Sequence, residues 1–409
     1  MGPRADRPES FMRLPPFTLL PASAARFIPL YMGINFIGGV HLPFFPAWLE
    51  SRGLSPESIG LLMMFMGLAR VVTGPLLGFA ADALVARRQA VILLMGIALL
   101  SYVGYLVLPG IAFLVLFSLT ASISFSAIGP LLEGVTLKTA LSERFDYGRV
   151  RSFGSAAFII MNFASGLYLA ANGVDAFLPL LIGASVFALM GALVLPRDEV
   201  PHEEMARGQV WREAVALARQ PVFLLFLLAA GLAQSCHAFY YGFGTLNWKD
   251  LGYSADLIGL LWGLGVVAEI VLFSFSDRVV AWLGPVRLLV LGTLAGLVRW
   301  TILALSPPLI VLLPLQLLHA GTFGAVHLAA MHFVARAVPS HLVGTAQSIL
   351  AAVTIGVFMA SGQFASGHLF AVFGAQGYLL MSLCSLVALA ASLCLGRLWN
   401  GRRLVASVP

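Results

Sequence analysis

Apolar runs of about twenty residues recur along the whole chain. Each is long enough, at about 1.5 Å per helical residue, to cross the roughly 30 Å hydrocarbon core of a membrane. Hydrophobic residues make up 60% of the 409 positions and charged residues only 10%, which excludes an ordinary soluble domain. The pattern predicts an all-α integral membrane protein with twelve transmembrane spans, at 23–47, 57–80, 89–108, 111–137, 151–171, 175–195, 221–246, 255–276, 286–305, 309–334, 343–370 and 374–396.

Lysine and arginine are distributed unevenly around these spans. Such residues are retained on the cytoplasmic side during insertion. With the N-terminus inside, the cytoplasmic segments hold twenty of the 24 Lys and Arg residues, whereas Arg52 and Lys249 lie outside and Arg70 and Arg299 lie within spans. Both termini are therefore predicted to be cytoplasmic. The net charge of +6 reflects this asymmetry and contact with membrane lipids, and it gives no support to a nucleic-acid partner.

The longest polar interruption divides the chain into two related halves. Ile-Gly-Leu-Leu occurs at 59–62 and at 258–261, and a charged residue inside the span follows in each case, Arg70 in span 2 and Glu269 in span 8. A duplicated six-helix unit is typical of major facilitator transporters, whose substrate sites lie near the membrane midplane between the halves. The predicted organisation is a cytoplasmic segment 1–22, a six-helix bundle 23–195, a cytoplasmic linker 196–220, a pseudo-symmetric six-helix bundle 221–398 and a cytoplasmic tail 399–409.

Two stretches that follow spans 2 and 8 carry charge at matching places. GFAADALVARR at 78–88 resembles the major facilitator loop signature of a glycine, an aspartate four residues later and a basic cluster, although Ala83 stands where a basic residue is usual. FSDRVVAWLGPVR at 275–287 keeps an aspartate–arginine pair. We interpret these residues as a conformational latch, with plain interfacial solvation as the alternative. The latch residues are Asp82, Arg87, Arg88, Asp277 and Arg278.

Several polar residues lie within the spans, where a charge is costly and usually faces a wet cavity or a partner. Helical spacing places them in stripes that alternate with aromatic rings, as expected of a cavity for a small amphipathic molecule. For Glu269 and Arg299, a purely structural ion pair is the alternative. The candidates are Tyr31, Asn35, Arg70, Glu133, Gln234, His237, Tyr240, Tyr241, Trp262, Glu269, Phe273, Arg299, Gln316, His319, Phe323, His327 and His332.

Motifs for other chemistry are not found. Cys236, Cys384 and Cys394 lie in apolar spans without the spacing of a metal site. No HExxH, HxxxxD or paired-cysteine pattern occurs, so we expect neither an enzyme nor a bound metal or other cofactor. The intramembrane charges argue against a scaffold or signalling protein, because a fold freed from transport could shed them.

Four stretches in the second half carry a resemblance to a known family. CHAFYYGFGTLNW (236–248), GLLWGLGVVAE (259–269), GLVRW (296–300) and LLHAGTFGAVHLAAMHFVAR (317–336) resemble the bacterial phenylpropionate permease family of the major facilitator superfamily. FDYGRVRSFGSAAFI (145–159) is shared more widely with oligosaccharide and nucleoside proton symporters. The resemblance implies a proton-coupled importer of an aromatic carboxylate, such as 3-phenylpropionate, in the bacterial inner membrane.

The resemblance also implies roles for individual residues. Symporters of the lactose permease type use a Glu, an Arg and a His on helices 8, 9 and 10 for proton coupling, and Glu269, Arg299 and His319 occur in that order here, with His327 nearby. Phe323 stands close to where those symporters carry a glutamate. Glu133 is kept in span 4, but we expect no deep arginine partner on span 5. The substrate-binding candidates are Tyr31, Asn35, Arg70, Glu133, Gln234, His237, Tyr241, Trp262 and Phe323.

The sequence therefore predicts a monomeric secondary transporter that couples uptake of a small organic acid to protons by alternating access. In this hypothesis the substrate carboxylate competes with Glu269 for Arg299, and Glu269 is freed to take up a proton. A sugar or nucleoside symporter and a drug or metabolite exporter of the same fold are the alternatives.

Overall fold

The computed structural model describes residues 20–83, 87–196 and 207–404, and the described elements are all helical. A short turn of helix at Ala22–Ala25 leads into span 1. The first six spans are Ile28–Ser51, Pro56–Ala83, Arg87–Val107, Ile111–Glu143, Tyr147–Asn172 and Phe177–Leu193.

The second six spans contain more breaks than the first. Span 7 is Pro221–Ser235 and His237–Asp250, span 8 is Ala255–Ser274, span 9 lies in Ser276–Ala304, and span 12 is Tyr378–Leu398. Span 10 consists of Leu309–Leu317, a π-helical segment Ala320–Ala325 and Val326–Ala337; span 11 consists of Val343–Ala351, a π-helical segment Ala352–Met359 and Ala360–Phe373. A helix at Arg207–Ala218 lies in the predicted linker.

The described residues contain 11 continuous helical runs long and apolar enough to cross a membrane. The last run, Ser340–Leu398, has 59 residues and as one straight helix would be roughly 88 Å long, far beyond the thickness of a bilayer. It folds back at Gly374, whose φ of +54° favours glycine. The run therefore makes two crossings, and the total of twelve agrees with the sequence. An even number places both ends of the helical bundle on the same face.

The spans form two six-helix bundles, as predicted. In the first bundle, span 1 packs on spans 5 and 6, and span 4 packs on spans 2 and 3; in the second, span 9 packs on spans 10 and 12. The halves meet where span 5 packs on span 8, span 2 on span 11, and span 1 on span 7. We call the face with Arg87, Arg88, Arg144 and Arg149 the arginine-rich face, and the opposite one the outer face.

Two glycine crossings hold the halves together near the outer face. A β-carbon on Gly259 of span 8 would lie 2.6 Å from the carbonyl oxygen of Asn162 in span 5, and one on Gly60 of span 2 would lie 2.6 Å from that of Gln363 in span 11. The partner helices carry the same Phe-Ala-Ser-Gly sequence, at 163–166 and 364–367. The two crossings are therefore equivalent contacts, related by the internal repeat.

An ion pair also joins the halves on the outer face. Lys249 at the end of span 7 lies 2.5 Å from Glu50 at the end of span 1. With the glycine crossings, this contact closes the outer face between the two bundles.

Candidate substrate cavity and its buried charge network

A cavity of about 1070 Å³ lies between the two halves. Its lining begins at Gly148 and Ser276, near the arginine-rich ends of spans 5 and 8, and reaches Tyr240 and Trp262 in the middle of spans 7 and 8. Spans 1, 5, 7, 8 and 10 supply the lining residues, together with Ser276 at the start of the helix that contains span 9. The cavity therefore opens toward the arginine-rich face and ends below the glycine crossings.

Aromatic side chains form much of the cavity wall. Trp262 lies against Tyr240 and Tyr241, with ring centroids 4.4 and 6.1 Å away, and its indole nitrogen donates to Thr245 Oγ1 at 3.0 Å. Phe158, Phe273 and Phe323 line the remaining surface. Such a wall suits a flat apolar ring better than a fully hydroxylated molecule.

Glu269 and His319 bring charge and polarity to this aromatic surface. Both side chains line the cavity, and His319 Nε2 lies 3.5 Å from a carboxylate oxygen of Glu269. On the other side of the ring, His319 Nδ1 lies 3.1 Å from a guanidinium nitrogen of Arg299. His319 thus stands between Arg299 and Glu269, whereas the predicted competition of a substrate carboxylate with Glu269 for Arg299 assumes that Glu269 contacts Arg299 directly.

Arg299 is fully buried behind this layer. It donates to Gln316 Oε1 at 2.9 Å and to Thr322 Oγ1 at 3.1 Å, and the Tyr240 and Trp300 rings lie 4.7 and 4.9 Å from its central carbon. Stacking between aromatic faces is a favourable environment for a buried guanidinium. Arg299 is not among the residues that line the cavity. A substrate in the cavity would therefore meet His319 before Arg299.

Arg299 also fixes the protonation of His319. An arginine side chain has only donors, so His319 Nδ1 must accept and carries no proton. The single ring proton is then on Nε2, which faces Glu269. A second proton, on Nδ1, would oppose the Arg299 donor, so His319 is neutral in this conformation.

His237 belongs to the same network but has the other tautomer. Its Nδ1 lies 2.9 Å from the carbonyl oxygen of Gln234, which can only accept, and its Nε2 lies 3.2 Å from Thr322 Oγ1. A proton on Nδ1 and a free lone pair on Nε2 satisfy both contacts. The neutral form also avoids a second buried positive charge one hydroxyl away from Arg299.

The structure separates the predicted substrate-binding residues into two groups. Asn35, Tyr241, Trp262 and Phe323 line the cavity, as do the predicted coupling residues Glu269, His319 and His327. Tyr31, Arg70, Glu133, Gln234 and His237 are not among its lining residues.

Two members of the second group are buried against protein. The Tyr31 hydroxyl donates to Thr136 at 3.3 Å. His237 is fully buried and stacks on Tyr241, which does line the cavity, with ring centroids 5.4 Å apart.

Arg151 is a cavity residue that the sequence predicts only as one of the cytoplasmic basic residues. It lines the cavity from the first turns of span 5, and its guanidinium lies 3.6 Å from the Glu133 carboxylate. Glu133 thus has an arginine partner at the end of span 5, and the expectation that it has none deep in the span is not contradicted. Arg151 lies near the helix end, where a span prediction beginning at residue 151 treats a charge as interfacial. The FDYGRVRSFG stretch, which proton symporters share, could have identified Arg151 as a site residue.

The predicted latch is only partly described. The side chain of Asp82 lies outside the described part of the structure. Arg88 donates to the carbonyl oxygens of Leu193 and Leu195 at 2.8 Å each, which ties the start of span 3 to the end of span 6. Arg278 lies over the ring of Phe275 at 5.9 Å. The latch role of Asp82, Arg87, Arg88, Asp277 and Arg278 stays a prediction.

A two-bundle helical protein with a polar and aromatic cavity between its halves belongs to the class of membrane transporters with the major facilitator fold. A family model supports this assignment. Residues 32–381 match the MFS_1 like family, and the chain belongs to that family. It is a multi-pass membrane transporter rather than an enzyme.

Individual relatives agree with the family. The chain is 32% identical, over 88% of its length and 94% of the relative, to an Escherichia coli (strain K12) protein named "Probable 3-phenylpropionic acid transporter". It is 28% identical to the maltose permease of Geobacillus stearothermophilus, over 90% of this chain and 93% of the relative. A crystal structure of the nucleoside transporter NupG superposes with a TM-score of 0.80 at 16% identity, over 92% of this chain and 100% of that one.

Proposed function

We propose that this protein imports a small organic acid, such as 3-phenylpropionate, together with a proton, across the bacterial inner membrane with both termini cytoplasmic. The observation that carries the proposal is the position of Glu269, a carboxylate in an aromatic cavity wall beside a histidine that Arg299 keeps neutral. The name of the Escherichia coli relative supports an aromatic acid as the cargo. Small substrate, proton and lipid are the only partners this function requires.

Glu269 is the group that takes up the proton in this proposal. A carboxylate changes its protonation when its surroundings alternate between wet and dry or when a nearby charge moves. His319 cannot take a second proton while Arg299 donates to its Nδ1. His327 also lines the cavity and is the second candidate. An acid anion and a proton that travel together form a neutral load, which avoids moving a net charge through a low-dielectric interior.

Alternating access follows from the contacts between the halves. The cavity opens toward the arginine-rich face, and the outer face is closed by backbone contacts at the two glycine crossings. Rocking of one bundle against the other would separate these crossings and open the path to the outside. The substrate site would then be exposed to each side in turn.

Glu269→Gln tests the coupling. The amide mimics the protonated carboxylate, so purified variant in vesicles should lose pH-driven uphill accumulation of 3-phenylpropionate and keep counterflow exchange. His327→Gln tests the second candidate in the same cavity and should leave accumulation intact if Glu269 takes up the proton. Full accumulation by Glu269→Gln, or its loss only in His327→Gln, would move the coupling role away from Glu269.

A sugar or nucleoside symporter is the second candidate. The Glu133–Arg151 pair at the cavity edge offers both donors and acceptors to hydroxyl groups, and the maltose permease and NupG are among the similar proteins. A competition panel separates the two functions: excess maltose or nucleoside should not reduce binding of labelled 3-phenylpropionate if the aromatic acid is the cargo.

A further inference from the structure

Arg70 lies in the middle of span 2, Pro56–Ala83, and its side chain is exposed. Exposure there does not mean contact with lipid. At 3.6 residues per turn, a residue two positions away points about 160° in the other direction, and Leu68 and Val72 are both exposed. They belong to the apolar outer stripe of the helix, formed by Leu61, Phe65, Leu68, Val72 and Leu76. Arg70 therefore points to the interior of the protein.

The neighbours of span 2 define what that interior is. Thr73 Oγ1 lies 3.2 Å from Ser126 Oγ in span 4, and Met63 lies on the side of Gly242 in span 7. Val71 faces Gly356 in span 11, since a β-carbon added to Gly356 would lie 3.3 Å from a methyl carbon of Val71. Arg70 lies between these directions on the helical wheel, so it points between span 4 of the first half and spans 7 and 11 of the second.

Arg70 has no compensating negative charge among the described residues. No hydrogen bond or ion pair of its side chain occurs within residues 20–83, 87–196 and 207–404. An unpaired charge within a span is costly and usually marks the path of a substrate or ion.

Arg151 at the cavity and Arg299 behind its wall are already engaged. Arg299 is fully buried and donates to protein acceptors on several sides. Arg151 lies 3.6 Å from Glu133, so a second carboxylate would have to compete with the first. An unpaired guanidinium gains more from an anion than a paired one, because nothing must be displaced.

The internal repeat gives Arg70 a counterpart. Arg70 and Glu269 each lie eleven residues after the isoleucine of an Ile-Gly-Leu-Leu sequence, in spans 2 and 8, and hence at equivalent depths in the two halves. One half thus presents a cation and the other a proton acceptor at the same level of the membrane.

We propose that Arg70 binds the carboxylate of the transported acid and selects anions over neutral analogues. The inference rests on the organic-acid function proposed above and adds the residue that recognises the charge. The guanidinium offers paired donors to a carboxylate, and the proton on Glu269 completes a neutral load.

Equilibrium binding to the purified full-length protein at one pH, without a gradient, tests this assignment. The probes are labelled 3-phenylpropionate and the neutral amide of the same acid. Arg70→Gln should weaken binding of the acid about thirtyfold and leave the amide unchanged, which also shows that the cavity is intact. Arg70→Lys should retain most of the preference for the acid, and Arg52→Gln, the matched control whose partner is Asp175 away from the cavity, should retain all of it. Arg151→Gln tests the competing arginine at the cavity edge.

If Arg70→Gln still binds the acid more tightly than the amide, the assignment is wrong. It is also wrong if only Arg151→Gln loses this preference. A further outcome is that Arg70→Gln binds neither probe. In that case the inference is supported if Arg70→Lys still binds the acid more tightly than the amide. If neither variant binds either probe, Arg70 has a structural role. A defect in proton coupling would not alter these results. Failure of the wild type to bind any aromatic acid would refute the organic-acid function and, with it, this role of Arg70.

Discussion

Replacing one glycine at the outer face should shift the protein toward its outward-open state. In Gly259→Val, the new β-carbon would lie 2.6 Å from the carbonyl oxygen of Asn162, where ordinary contacts begin at 3.4 Å. The partner atom belongs to a helix backbone and cannot turn away as a side chain could. The two spans must therefore separate by about 0.8 Å at this point, and the outer closure is weakened.

The size of the shift follows from the cost of overpacking. Forcing extra methyl groups into a close contact costs about 1–3 kcal/mol, and only the state closed at the outer face contains this contact. An energy of that size changes the ratio of the two states by roughly 5–150-fold. The variant should remain folded, because opening the crossing relieves the strain.

Sided labelling of a cavity cysteine measures the ratio. Ser155 lines the cavity, so Ser155→Cys, in a protein whose native cysteines are replaced by serine, reports access from either face. Gly259→Val should slow labelling by an impermeant maleimide from the arginine-rich face and accelerate it from the outer face. Gly263→Val is the matched control, because a β-carbon on Gly263 meets nothing within 4 Å. Equal labelling of the two variants would refute the reasoning.

Further predictions concern the buried network, the membrane orientation and the substrate site. Gln316→Leu should lower the free energy of unfolding by about 3 kcal/mol, because the buried Arg299 guanidinium and the Tyr240 hydroxyl lose their shared acceptor. The thermal unfolding temperature should fall, whereas replacement of the exposed Gln376 by Leu should leave it unchanged. Reporter fusions after Pro196 and at the C-terminus should read as cytoplasmic and one at Gly252 as external; a single inversion contradicts the topology. Tyr241→Ala should raise the half-saturation concentration about tenfold, and an unchanged value would remove Tyr241 from the site.

Hydropathy and the repeat were sufficient to predict the fold. Span 2 was expected at 57–80 and is Pro56–Ala83, and the equivalence of Arg70 and Glu269 is visible from the Ile-Gly-Leu-Leu pairs. These features depend on local composition and on spacing along one helix. The break of span 7 at Cys236 was not expected, because no proline or glycine marks it.

The contacts between helices were harder to predict. Helical spacing puts His319 and Phe323 in one stripe, but it does not say which neighbouring helix supplies their partners. That His319 stands between Arg299 and Glu269 depends on how spans 8, 9 and 10 are rotated against one another. The π-helical segment Ala320–Ala325 adds a further rotation, since its wider turn departs from the 100° assumed for each residue.

The paired glycine crossings have the symmetry of a homodimer. Span 2 of the first half meets span 11 of the second, and span 5 of the first meets span 8 of the second. Spans 2 and 8 are equivalent in the repeat, as are spans 5 and 11, so the two contacts are related as in an isologous two-fold interface. The contact sequences are still alike, with Phe-Ala-Ser-Gly in spans 5 and 11, while the charges at the equivalent midplane positions are opposite, Arg70 and Glu269. Such a pattern is what fusion of two identical six-helix subunits would leave. The contact between the halves is thus alike in both copies of the repeat, whereas the equivalent midplane positions differ, with a guanidinium in one half and a carboxylate in the other.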